Sequence, residues 1–292
     1  MLGETAALGA SLCWTFGPLL AMAPVRELGS LRFGRVRLLA ATLVLALFTT
    51  LTGSWHAMPE ESFWRLVLSG LVGFALGDWV LFAGIRILGP RRGGLIYAAN
   101  APFTAMLGMV ILGETMTLGL ALGTLLVFGG VAIALSLRNR EPGRMETVQG
   151  SVAVGVGLCL LAALAQAGGT ILARPAMAAG ADPLAAATLR AGVSAALFVV
   201  IATAQGRLSE YVLPRRLLMP TVLHACIGPG LGAALMMLAV AHATAGVAAV
   251  LSSLSPVLIL PVLRLGFGER LHPGCWLGAA TTVAGMAVIF SQ

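Results

Sequence analysis

Residues 113–130 read GETMTLGLALGTLLVFGG, and residues 268–285 read GERLHPGCWLGAATTVAG. At an offset of 155, Gly113 matches Gly268 and Glu114 matches Glu269; Gly119, Gly123 and Gly130 match Gly274, Gly278 and Gly285. The same offset reaches upstream, where Gly73 and Gly77 match Gly228 and Gly232. Arg37 and Gly53 match Arg190 and Gly206 at an offset of 153, so one connection differs by two residues. One unit is therefore present twice, and each copy holds five apolar segments. They are predicted at 3–23, 34–53, 63–86, 93–112 and 117–137, then at 150–173, 184–204, 218–240, 246–265 and 273–290. Each is close to the ~20 residues that cross a hydrocarbon core. Five is odd, so a second copy enters the membrane upside down relative to the first. The expected fold class is all-α integral membrane, with ten transmembrane helices as two inverted five-helix repeats. The first spans residues 1–137 and the second 150–292, joined by a polar linker at 138–149.

Composition agrees with a lipid solvent. Of 292 residues, 59% are hydrophobic and only 10% charged, against about a quarter charged in soluble domains. The opening Met-Leu-Gly-Glu lacks a basic n-region, so the first apolar segment is expected to stay in place. All 18 basic residues are arginine. They lie between apolar segments rather than in a stripe, which argues for membrane orientation and against nucleic acid. Only Arg65, Arg174 and Arg190 fall on the N-terminal side of the predicted spans, and the other fifteen fall opposite. The positive-inside rule then makes the arginine-rich side cytoplasmic and puts both termini on the non-cytoplasmic side of an inner membrane.

Inverted repeats are a signature of secondary transporters, whose substrate sites lie where the repeats meet. Candidate lining residues are therefore polar or aromatic groups placed deep. Asp78 is the one carboxylate well inside a predicted helix, about 10 Å from its end. Tyr97 and Asn100 reach a similar level from the next helix, and Trp79 adjoins. Trp14 sits near the centre of the first helix, and Gln166 is a deep amide in the sixth. Ser252 and Ser253 stand in the ninth. The alternative for this polar set is an interhelical cluster that only fixes packing. Pro102 and Pro256 lie in mid-helix, where each removes a backbone hydrogen bond. Together with Pro18 and the Gly228-Pro229-Gly230 run, they are candidate hinges. His224 reads as a neutral, hydrogen-bonded histidine, with a titrating functional group as the alternative.

Glu114 and Glu269 read as structural carboxylates that complement the N-terminal dipoles of the helices they precede. Gly119 with Gly123, repeated as Gly274 with Gly278, reads as small-residue packing within each half, with a homodimer face as the sharper alternative. The four cysteines have no metal-ligand spacing, and no metal or cofactor is expected. Enzymes are disfavoured: an intramembrane aspartyl protease needs two deep carboxylates, and Ala75 breaks a Gly-x-Gly-Asp signature.

The Pro102 to Leu112-Gly113-Glu114 stretch followed by Gly123 and Gly130, its second copy from Pro256 to Gly285, and Arg37 with Arg190 resemble the EamA-like branch of the drug/metabolite transporter superfamily. Within it the chain looks most like YddG-type amino-acid exporters. The resemblance implies an inner-membrane permease that moves amino acids and related metabolites outward. The proton-coupling glutamate of small four-helix relatives has no counterpart in the first helix. The expected function is alternating-access export of amino acids and small metabolites by a monomer or possible homodimer in the lipid bilayer. The alternative is proton-coupled efflux of lipophilic cations at Asp78. Every arginine lies near a predicted helix end, which disfavours phosphorylated sugars.

Overall fold

The computed structural model of the chain describes residues 1–88, 90–136, 150–266 and 272–291. Among these, all regular structure is helical. Helices α1 (Leu2–Leu28) and α2 (Ser30–Thr52) open the chain. α3 (Glu60–Gly70) and α4 (Gly77–Leu88) follow, joined without a gap by a π-helical turn at Leu71–Leu76. Then come α5 (Pro90–Tyr97), α6 (Asn100–Leu112) and α7 (Leu118–Ser136). The second copy supplies α8 (Val152–Ala178) and α9 (Pro183–Ala204). α10 (Arg215–Ala225) and α11 (Ala233–His242) are again joined by a π-helical turn, at Cys226–Gly232. α12 (Ala245–Ser252), α13 (Ser255–Gly266) and α14 (Pro273–Phe290) complete it. Among the described residues, six helical stretches are long and apolar enough to cross a membrane: Leu31–Thr52, Glu60–Leu88, Val152–Ala178, Pro183–Ala204, Arg215–His242 and Ala245–Gly266.

Local chemistry sets the ends. Asp182 caps α9 by accepting from the amides of Leu184 and Ala185, with Pro183 at the first helical position, where its missing N–H costs nothing. Thr244 caps α12 through Val247 N–H. Gly113 ends α6 at φ 67°, a left-handed turn that costs a residue with a Cβ about 1 kcal/mol or more. α1 runs past its predicted end at 23 to Leu28, through Pro18 and Pro24. The side chains of Pro18 and Pro256 lie outside the described residues, as do Glu269 and the linker at 138–149.

The interior is built largely from alanine. Ala6, Ala7, Ala10, Ala173, Ala186, Ala187, Ala191 and Ala239 are all buried in one cluster with Leu38, Leu45, Met237 and Val240. Small residues let helix backbones approach where no hydrophobic effect drives them together. Large apolar side chains face outward instead, among them Val110, Leu125, Val200 and Leu277.

The glycine faces work differently from expectation. α7 packs antiparallel on α14, the most extensive helix pair in the molecule. A Cβ on Gly123 would stand 2.9 Å from Gly285 O, and one on Gly130 would stand 2.5 Å from Gly278 O. Gly123, Gly130, Gly278 and Gly285 therefore pack the two copies against each other rather than each half on itself. Glu114 also acts across the copies. Its carboxylate accepts from Ala245 N–H at 2.7 Å and Gly246 N–H at 3.3 Å, so it complements the N-terminus of α12, not that of α7 as expected. The copies are interlocked: α8 packs on α3 and α4, and α1 packs on α10 and α11.

Candidate functional site

Two helices are interrupted at matching positions. α5 ends at Tyr97 and α6 begins at Asn100; α12 ends at Ser252 and α13 begins at Ser255. The offset is 155 in both cases. In the first break Pro102 offers no N–H to Ala98 O, which takes Ala101 N–H instead. Asn100 Nδ2 donates to Tyr97 O at 2.9 Å and so substitutes for lost ladder bonds. In the second break Ser252 and Ser253 both donate to Ala249 O. The two breaks face each other across a small cavity lined by Ala98, Val250 and Ser253 together with Thr124 of α7. The space is no larger than about one water molecule, and its walls are apolar. Thr124 Oγ1 is buried there without a protein partner.

The π-helical turns are a second matched pair, again offset by 155, and they contain Gly73 and Gly228. Trp14 donates its indole N–H to Gly228 O at 3.2 Å. Its ring fills the side of Gly232, where a Cβ would stand 2.6 Å from Nε1. Trp14 thus satisfies a backbone carbonyl beside Pro229. His224, one turn earlier, packs edge-on against Phe33 at 5.1 Å, and its buried Nδ1 has no partner.

A charged cluster occupies the middle of the molecule. Arg37 Nη2 meets Asp78 Oδ2 at 2.6 Å, with both side chains about 15% exposed. The Arg37 guanidinium also lies over the Phe82 ring at 5.1 Å. Arg190 is 2% exposed. Its Nη1 donates to Met237 Sδ at 3.2 Å, and its guanidinium lies over the Phe74 ring at 4.9 Å. Its Nε and Nη2 are buried with no hydrogen-bond partner. Tyr97 is within electrostatic range of Asp78, Arg37 and Arg190. A Cβ on Gly73 would stand 3.2 Å from Arg190 Nη2 and 3.6 Å from Gln166 Oε1, so these two groups border one spot.

Of the residues singled out in the sequence, Asp78, Tyr97 and Gln166 come together in this cluster. Asn100 and Ser253 sit at the helix breaks, and Ser252 is buried beside the second. Trp79 is 58% exposed while neighbouring Asp78 is turned inward, so it does not join Asp78. The two arginines are the correction. In the sequence both stand near predicted helix ends. Arg37 is seven residues into α2 and Arg190 seven into α9, each about 10 Å deep. One leaves each side of the arginine count, so the asymmetry between the sides stands. The objection that no arginine is deep does not. The signal in the sequence is their recurrence at the offset of 153 that relates the two copies.

Long apolar helices folded around buried charges define a multi-pass membrane protein. The chain belongs to the EamA-like transporter family, whose pattern matches residues 1–136 and 153–291. Members of this family are transporters. It is similar to the uncharacterized transporter YyaM of Bacillus subtilis (strain 168), at 27% identity over 118 residues, which covers 40% of this chain and 36% of that one. A solved crystal structure superposes with a TM-score of 0.79 over 98% of this chain and 96% of the other, at 17% identity. That likeness shows a shared fold.

Proposed function

We propose that the chain is an inner-membrane exporter of amino acids and related small metabolites, working by alternating access between two inverted five-helix halves, 1–137 and 150–292. Both termini lie on the non-cytoplasmic side. The observation that carries this reading is the pair of helix breaks at Tyr97–Asn100 and Ser252–Ser255, which meet between the copies. Irregular backbone within a membrane is tolerated where it lines a cavity or is buried in protein, and interrupted helices are where transporters hold substrate. The antiparallel contact of Gly123 with Gly285 and of Gly130 with Gly278 supports the inverted arrangement, because the offset exchanges the two contacts. Trp14, Tyr97, Asn100, Gln166, Ser252 and Ser253 line the path. Pro18, Pro102, Pro256 and the Gly228-Pro229 turn supply the bending points.

Amino acids are favoured over lipophilic cations by electrostatics. The Asp78 carboxylate is already matched by Arg37, which leaves no free deep carboxylate among the described residues for a cationic drug. Purified protein in liposomes, offered radiolabelled neutral amino acids and cationic dyes, separates the two. Wild type and Asp78→Asn should both move amino acids down their gradient with no imposed pH difference. Dye transport that requires a proton gradient and disappears in Asp78→Asn would instead establish proton-coupled efflux.

A further inference from the structure

We propose that Arg190 binds the carboxylate of the transported molecule, which gives it the kind of partner that Asp78 gives Arg37 in the first copy. The proposal rests on the export reading above and specifies what its substrate must carry. Arg37 corresponds to Arg190 at the offset of 153, and Asp78 and Phe82 correspond to Ala233 and Met237 at 155. The two surroundings agree in part. Phe82 lies against Arg37 and Met237 against Arg190, one turn beyond the position of the carboxylate. Where the first copy places Asp78, the second has a methyl group.

The consequence is a buried cation with a free edge. One ring face and one thioether recover only a small part of what desolvating a guanidinium costs. The unpartnered nitrogens are Nε and Nη2. They share one edge of the planar group, the edge that receives a carboxylate through two parallel hydrogen bonds. Beside that edge, the missing side chain of Gly73 leaves a tight spot bordered by Gly169 Cα and Gln166 Oε1, and a rotated Gln166 amide would add a donor. Phe74, which covers the guanidinium, belongs to the π-helical turn Leu71–Leu76. Shifting that irregular turn uncovers the cation without breaking a regular helix. A monoanion suits the site better than a phosphate dianion, because Arg37 is committed to Asp78.

The test uses the full chain in two formats. In liposomes, the wild type should prefer L-phenylalanine over L-phenylalaninamide by about ten- to a hundredfold, the range for hydrogen bonds to charged groups. Arg190→Gln should bring the ratio to about one, and Arg190→Lys, which keeps charge without the bidentate edge, should give an intermediate value. In detergent, quenching of tryptophan fluorescence by 3-phenylpropionate should be saturable in wild type and lost in Arg190→Gln. Inorganic phosphate should not compete. If phenylalanine is not transported but 3-phenylpropionate still binds through Arg190, the anchor stands and amino-acid export falls. If phenylalanine is transported with no preference over its amide, or both Arg190 variants keep the wild-type ratio, the anchor falls and export stands. Should Arg190→Gln fail to fold, an unchanged ratio in Arg190→Lys overturns the proposal alone. No transport and no binding sinks both.

Discussion

Arg37 and Arg190 stand at the same depth in equivalent helices, yet one has a carboxylate at 2.6 Å and the other has a thioether and a ring. The repeat presents the same cation twice, with a counter-charge on one side only. A matched pair contributes to holding helices together. An unmatched cation is a standing cost that a fold tolerates where something else repays it, and for a transporter that is bound substrate. The difference separates two roles that a sequence motif presents as one.

The largest expected effect breaks the pair. Asp78→Leu leaves Arg37 buried and unmatched, which should cost about 3–5 kcal/mol, read as a fall in melting temperature in detergent. Arg190→Met removes an unmatched charge and should leave the melting temperature unchanged or raised, while transport of phenylalanine falls to the level of its amide. Equal destabilisation by both would mean the arginines do the same work.

The scaffold that carries both arginines rests on close glycine contacts. Gly130→Ala places a methyl group against the backbone of α14 and should cost about 1–3 kcal/mol. A neutral result would mean α7 and α14 do not pack so closely. Glu114→Ala removes the acceptor for Ala245 and Gly246 N–H, at about 0.5–2 kcal/mol. Hydrogen exchange at those two amides should accelerate while α6 stays protected.

The smallest effect compares the two π-helical turns. Trp14→Phe loses one hydrogen bond to Gly228 O, about 1 kcal/mol. Phe74→Leu in the other turn removes the ring over Arg190 and should change transport more than stability. If Trp14→Phe silences transport as fully as Phe74→Leu, the turns are not specialised.

The recurrence of glycine and glutamate at one offset was readable from the sequence because backbone turns and close helix contacts admit few residue types. Pro102 and the Gly228-Pro229-Gly230 run pointed to irregular backbone for the same reason, although the break near Asn100 precedes its proline. Arg190 was not readable as deep. A helix boundary misplaced by one or two residues does not reveal which way a side chain faces, and an arginine near a predicted end looks like an orientation signal. Likewise, Asp78 appeared solitary because its partner lies on another helix 41 residues away. Glu114 appeared to serve the helix that follows it, because sequence distance hides a contact 131 residues away.

The central claim is that the second copy lacks a carboxylate so that the substrate can provide one. Ala233→Asp supplies it from the protein. Counterflow of radiolabelled L-phenylalanine in liposomes should then fall more than about tenfold, the loss expected when a charged hydrogen-bond partner is taken. The melting temperature should hold, and Ala233→Asn, equal in size but uncharged, should keep transporting. Wild-type counterflow in folded Ala233→Asp would contradict the account.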